Sequence, residues 1–285
     1  PLFEKASIDE FYIDLTGMDR FFDPLQWTID LRKEIIETTG LPISFGLASN
    51  KMVAKMATNA AKPNGFLQVL AGKEKEFLAP LQVGEIPGVG EHMLKTMHSL
   101  GIMTINDLSA YPQHLLEQNF GKYAEVLQQK AKGIHSGSVH HFHEAKSMST
   151  EHTFSENSAD QDFLQAELMR MTEKLGHELR EDGKMTKCVA VKIRYPDFET
   201  HTRQMAIAPS SYDDELIKVV KDLFGNLYKQ KHAVRLIGVR FSELTDSSLQ
   251  TDLFENRVRK ASLYTAIDAV KLRFGKKSVG RGKMK

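Results

Sequence analysis

Ser7-Ile8-Asp9-Glu10-Phe11-Tyr12-Ile13-Asp14-Leu15-Thr16-Gly17 is the stretch on which the reading of this chain turns. It is rich in β-branched and aromatic residues and closes on Gly, so it reads as a strand ending in a turn. Asp9 and Glu10 stand side by side near its start. Two adjacent carboxylates on a buried strand are costly unless something offsets their charge. A divalent cation such as Mg²⁺ does so, being held by one or two carboxylates together with the phosphates of a substrate. The competing account is a strand whose rim acids are merely solvated, and this stretch alone leaves both open.

Working outward, Asp23-Pro24 predicts a helix start, with the acid as N-cap and Pro in the first turn. Leu25, Ile29, Arg32, Ile35 and Ile36 follow at helical spacing, and Gly40 stops the run. Leu41 to Ala48 reads as a second strand. Ser49 is expected to cap a helix through Met52, Met56 and Ala60, ended by Pro63-Asn64-Gly65. Phe66 to Leu70 reads as a third strand, so the first region is an α/β layer. Lys55 and Lys62 are seven residues apart, close to two turns, which predicts that they share a helix face. Two ammonium groups aimed together suit a triphosphate or a nucleic-acid backbone, although lysines on an exposed face are also routine.

Ile86-Pro87-Gly88-Val89-Gly90 precedes a helix over Glu91 to Leu100 and matches the helix-hairpin-helix pattern. Its glycines let the backbone approach a phosphate, and amides at the following helix N-terminus point at that anion. The alternative is an ordinary pair of antiparallel helices. Phe120-Gly121-Lys122-Tyr123 supplies a second loop before a helix through Leu127 to Gly133. His135, His140, His141 and His143 cluster beyond it, but no spacing matches a structural metal site, and the stretch reads as a linker.

From Lys146 the pattern changes. A strand over Ser147 to Ser155 precedes a long helix from Asp160 to Asp182, with Leu164, Leu168, Met171, Leu175 and Leu179 on one face. Strands over Cys188 to Tyr195 and Glu199 to Ile207 follow, then a helix through Leu216 to Phe224 and a strand from Val234 to Leu244. The order β-α-β-β-α-β is the ferredoxin-like unit. One sheet face is expected under helices, and the other is expected to carry Lys192, Arg194, His201, Arg203 and Arg240. Such a basic face can lie on a nucleic-acid backbone, though half-solvated faces are polar anyway. Gln250-Thr251-Asp252-Leu253-Phe254 then places two apolar residues in a polar stretch, the form of a short docking peptide.

With 285 residues the chain is long enough for two or three domains. No apolar run approaches the ~20 residues of a membrane span, and no signal peptide is visible. Cys188 is the single cysteine, which fits a reducing, cytoplasmic setting. The net charge of +1 is unevenly spread. From Asn256 onward ten Lys and Arg face Asp268 alone, so the remainder is net acidic. A basic tail points either to a polyanionic partner or to a solvated terminus.

Four motifs, in order along nearly the whole chain, resemble the Y-family of translesion DNA polymerases, in its bacterial DNA polymerase IV (DinB-type) branch. They are Ser7 to Glu10, then Ser49-Asn50-Lys51 with Ala54-Lys55 and Lys62-Pro63-Asn64-Gly65, then Ile86 to Gly90, and finally Gln250 to Phe254. The resemblance implies an α/β and α+β multidomain fold. It assigns residues 1–72 to the C-terminal part of a palm and 73–136 to a helix-hairpin-helix thumb. A linker (137–146), a little finger (147–244) and a clamp-binding peptide with basic tail (245–285) follow.

By the same resemblance Asp9 and Glu10 would be catalytic carboxylates, Asp9 as a metal ligand, in a site using two Mg²⁺ ions about 4 Å apart. Lys62 and Lys55 would bind the incoming deoxynucleoside triphosphate. Gly88, Val89, Gly90, Lys192, Arg194, Arg203 and Arg240 would hold primer-template DNA. Gln250, Asp252, Leu253 and Phe254 would dock on a bacterial sliding clamp. The chain starts at Pro1, just before the second acid motif, whereas the family carries a further metal-binding aspartate and the fingers upstream. The expectation is therefore a monomeric fragment of a polymerase that binds DNA but does not polymerise alone. A non-catalytic, clamp-docking DNA scaffold is the alternative.

Overall fold

The computed structural model describes residues 1–141, 144–229, 232–247, 256–275 and 278–280, and the chain divides into two compact units, Pro1–His143 and Glu144–Lys285. In the first, β1 (Leu2–Lys5) and β2 (Phe11–Asp14) form an antiparallel hairpin with Lys5 opposite Phe11. Asp9 and Glu10 therefore sit in the hairpin turn and not within a strand. Pairing with β1 draws the strand start to Phe11, since Ala6 and Ser7 amides both donate to the Glu10 carbonyl at 3.0 Å and close the turn.

Helix α1 (Pro24–Thr39) is capped as its sequence predicts: the Asp23 carboxylate accepts from the Leu25 and Gln26 amides, and Gly40 ends it at φ +71°. No residue of α1 is buried. Parallel strands β3 (Phe45–Leu47) and β4 (Phe66–Gln68) are joined by α2 (Lys51–Ala60). Gly46 lets β3 lie directly on α2, because a Cβ there would collide with the backbone of Ala54. The cap of α2 is Asn50, whose side chain accepts from the Val53 amide at 3.1 Å, where Ser49 was expected. Lys62 lies beyond the helix end. The shared-face argument for Lys55 and Lys62 fails accordingly, since Pro63 prevents α2 from continuing that far.

Helices α3 (Glu74–Leu78), α4 (Glu91–Ser99), α5 (Ile105–Ala110), α6 (Gln113–Phe120) and α7 (Tyr123–Ala131) complete this unit. One apolar core runs from Met52, Val53 and Met56 through Leu78, Ile86 and Met97 to Leu127 and Ala131, so residue 72 marks no break in packing.

The second unit is a four-stranded sheet of β5 (Ser147–Ser158), β6 (Lys184–Arg194), β7 (Thr200–Ser210) and β8 (Val234–Asp246), in the order β5-β8-β6-β7. Each neighbouring pair is antiparallel. Helices α8 (Gln161–Glu181) and α9 (Asp213–Leu227) cover one face. There Val189, Val191, Ile193, Val239 and Phe241 meet Leu164, Leu168, Leu175, Val220 and Phe224. Helix α10 (Asn256–Phe274) takes up part of the basic tail. Its Lys260 pairs with Asp214 and Glu215 at 2.7 Å each, and the Asp214 carboxylate accepts from the Tyr264 hydroxyl at 2.8 Å. A partner for these tail charges is thus the acidic start of α9.

Candidate functional site

At the β1–β2 turn the Ser7 hydroxyl donates to the Asp9 carboxylate at 2.6 Å and accepts from the Glu10 amide at 3.0 Å. The Asp9 carboxyl is held below the usual carboxylate range, first by that hydroxyl and its own backbone amide, with Lys62 and Lys55 adding attraction. Glu10 pairs with Lys55 Nζ at 2.5 Å. That bond, above all, raises the Lys55 ammonium against a partial loss of solvation. Asp9 is exposed, and so is Lys62. Three separate segments, the hairpin turn, α2 and the turn after it, thus bring Asp9, Glu10, Lys55 and Lys62 into one electrostatic neighbourhood.

The Lys62 turn is fixed from outside. Arg32 of α1 donates to the Ile43 carbonyl at 2.9 Å, to the Asn64 carbonyl at 2.7 Å and to the Asn64 side chain at 2.5 Å. Sequence reasoning placed Arg32 on the apolar side of α1 and gave it no role. A cation among Leu25, Ile29 and Ile36 was the available signal, since a charge on such a face needs partners.

Both tip carboxylates are hard oxygen donors at an open surface, a donor set that suits Mg²⁺ when substrate phosphates complete the shell. Among the described residues no group of three or more His, Cys, Asp or Glu is placed to hold a metal ion. The linker histidines have other contacts: the His140 amide donates to the Glu4 carboxylate at 2.7 Å, and the His141 ring lies 3.2 Å from the Phe3 carbonyl.

The expected phosphate-binding turn follows a short 3-10 turn, Val83–Glu85, and leads into α4. Ile86 is fully buried beneath it. The Val89 amide closes the turn on the Ile86 carbonyl at 3.0 Å, and Gly88 has φ +95°. Among the described residues no acceptor meets the amides of Gly88 and Gly90, which leaves them available to an anion.

On the second unit, Ala190, Lys192 and Arg194 stand on the face away from the helices. Register places Gln204 and Arg240 beside Ala190, and Thr202 and Gly238 beside Lys192. With Ser147, Ser149 and Glu151 of β5 they line a groove of about 320 Å³. Lys192 is partly neutralised by Glu151 at 2.9 Å, and Arg194 donates to the Thr200 hydroxyl at 2.8 Å. Arg203 and His201 do not belong to this face. They pair with Val191 and Ile193, so they project to the helix-covered side, where edge strand β7 leaves Arg203 exposed. Direct partners in a sheet share a face, and a shift of one residue reverses it. Gln250, Asp252, Leu253 and Phe254 lie outside the described residues.

Comparison with known proteins matches these parts one by one. Residues 1–59 match the impB/mucB/samB family, 145–253 match the C-terminal domain of that family, and 84–135 match the thumb domain described for DNA polymerase-iota. A DNA polymerase IV from Dehalococcoides mccartyi is 36% identical over 286 residues, covering 99% of this chain and 73% of the relative. Its counterpart from Opitutus terrae is 36% identical over 291 residues, covering 99% and 74%. A chimeric Y-family DNA polymerase shares the fold with a TM-score of 0.72 at 23% identity, over 86% of this chain and 72% of that one. DinB from Sulfolobus solfataricus gives 0.52 at 25% identity, over 85% and 71%. An acidic hairpin turn, a helical thumb and a four-stranded sheet unit, matched in this order, make the chain a member of the impB/mucB/samB family, the Y-family of DNA-directed DNA polymerases.

Proposed function

We propose that the chain is the part of a translesion-type DNA polymerase that holds the primer-template duplex and faces the incoming deoxynucleoside triphosphate. The observation carrying this reading is the gathering of Asp9, Glu10, Lys55 and Lys62 from three segments of the first unit. Asp9 would hold Mg²⁺, with Glu10 beside it oriented by Lys55. Two such ions, when bound, would supply Lewis-acid stabilisation of the attacking and leaving oxygens. Lys62, exposed on a turn that Arg32 clamps, would meet the triphosphate. Lys55 acts one step back, since its ammonium is already committed to Glu10.

Duplex binding would rest on the Gly88-Val89-Gly90 turn and on Lys192, Arg194 and Arg240 of the open face, without Arg203, which projects to the other side of the sheet. These are backbone contacts with little base readout. Residues 250–254 would dock on a sliding clamp. The working protein would be a cytoplasmic monomer. Among the described residues no helix is long and apolar enough to cross a membrane.

These 285 residues by themselves offer two tip carboxylates, one already paired, fewer donors than two ions and a triphosphate require. They should therefore bind primer-template DNA, with affinity falling steeply as salt rises, and bind nucleotide only with Mg²⁺, yet not extend the primer. Extension that Asp9→Ala abolishes would overturn the inactivity. Metal-independent nucleotide binding, unchanged by Asp9→Ala, would favour a non-catalytic scaffold. Replacing Leu253 and Phe254 by Ala should remove clamp binding while leaving DNA affinity nearly unchanged.

A further inference from the structure

Lys130, which no motif singles out, ends its side chain under the Gly88 turn. Its Nζ donates to the Pro87 carbonyl at 2.7 Å and lies 3.2 Å from the Tyr123 hydroxyl, above whose ring it stands at 5.7 Å from the centroid. Tyr123 and Lys130 are seven residues apart on α7, about two turns, and so share the face that looks at the turn. The fit is close: a Cβ on Gly88 would lie 3.3 Å from the Tyr123 hydroxyl and 3.4 Å from Lys130 Nζ.

The turn itself has two possible forms. Pro87 in its second position, Gly88 at φ +95° in its third and the Val89 amide on the Ile86 carbonyl are the marks of a type II turn. Type I differs by reversal of the single peptide plane between Pro87 and Gly88. A trans peptide is flat, with its carbonyl and its N–H on opposite sides. Because Lys130 holds the Pro87 carbonyl inward, the Gly88 N–H of the same plane is directed outward. Reversal would bury that donor and present a carbonyl oxygen to any approaching anion.

We propose that Lys130 is the positioning residue of the phosphate-gripping turn, selecting the peptide orientation that aims the Gly88 amide at the DNA backbone. The proposal rests on the DNA-holding reading above and adds a residue to it. Lys130 is spent on Pro87 and Tyr123 and does not itself touch the phosphate, which distinguishes it from an ordinary cationic contact. A lysine contacting phosphate contributes about one unit to the slope of log affinity against log salt. A lysine that only sets the turn contributes to affinity at every salt and leaves the slope alone.

The test is titration of a labelled primer-template duplex with the full 285-residue chain across a salt series, paired with amide NMR of the free protein. Lys130→Met is expected to weaken binding about tenfold at each salt, the scale of one lost charge-assisted hydrogen bond, at constant slope. Lys130→Arg, which keeps a charged donor, is expected to stay within about threefold. In the free protein the Gly88 and Val89 amide signals should move in the Met variant and hold in the Arg variant. Wild-type affinity in Lys130→Met, or loss of about one slope unit, overturns the proposal. Should the Met variant fail to fold, Gly88→Ala penalises the same type II geometry and is expected to weaken binding at constant slope; unchanged affinity there overturns it equally. If the wild-type chain does not bind duplex at all, the DNA-holding reading falls, and the amide signals still decide whether Lys130 sets the turn.

Discussion

Two clusters of opposed charges in this molecule look alike on paper and differ in almost every physical respect. At the hairpin turn, Asp9 and Glu10 meet Lys55 and Lys62 at an open surface, held by one ion pair and a serine hydroxyl. In the second unit, Arg180 of α8 is forked onto Asp268 of α10 at 2.7 and 3.0 Å. Its remaining donors go to Asp213 at 2.7 Å and the Ser211 carbonyl at 2.5 Å, and its guanidinium lies 4.6 Å from the Tyr264 ring centroid. Only 10% of the Arg180 side chain is exposed, against 31% for Lys55. The buried cluster has nearly all its donors satisfied, so little is left over for a ligand. The open one keeps lone pairs and an ammonium facing water, the surplus that the proposed ligand site needs.

The largest effect that would sharpen the contrast is Arg180→Met. It leaves the buried Asp213 and the half-buried Asp268 carboxylates without their principal cation, a change that costs about 3–5 kcal/mol in such settings. A fall of that size in the unfolding free energy of the second unit is expected, with α10 detaching. A loss no greater than an exposed ion pair gives would erase the distinction.

Acid and alkali should attack the same cluster from opposite sides. Burial alone would raise the Asp268 carboxyl, but the Arg180 and His177 hydrogen bonds overcome it and hold the group below its ordinary 3.8. Its contribution is therefore present above about pH 4 and lost as pH falls through the lowered value. Tyr264 is the mirror case: burial foremost pushes its hydroxyl up to about 12 from 10.0. The unfolded chain ionises first, so this contribution is complete below pH 10 and lost as pH rises toward 12. Unfolding midpoints of Asp268→Asn and Tyr264→Phe across pH should flatten the acid and the alkaline limb respectively.

Legibility in the sequence followed the range of the interactions. Asp23, Pro24 and Gly40 announced α1 because capping is decided within four residues. The β-α-β-β-α-β order was equally plain, since each element carries its own period. The Asp9-Glu10 pair was visible as a pair, but its place in a turn depended on pairing with β1. The side taken by His201 and Arg203 depended on register with β6, which no single strand reveals. Arg180 and Asp268 are 88 residues apart, so their meeting had no local sign, and the tail read either as a polyanion-binding segment or as a solvated terminus. Lys130 was hidden in the same way, as one more lysine on an amphipathic helix.

The smallest stability effects should come from the open cluster, and they test the comparison most directly. Lys55→Met removes a half-exposed pair and should cost only about 0.2–1 kcal/mol. Asp9→Asn should leave the unfolding midpoint of the first unit where it is, because its exposed carboxylate accepts only from the Ser7 hydroxyl and its own backbone amide, donors that an amide oxygen can also accept. Mg²⁺-dependent nucleotide binding, measured on the same sample, should nevertheless fall sharply, since an amide oxygen carries no charge to share with the ion. Loss of folding with Asp9→Asn would make the turn a structural element like the Arg180 network. Retained folding with lost nucleotide binding is the signature of charge kept exposed for a ligand.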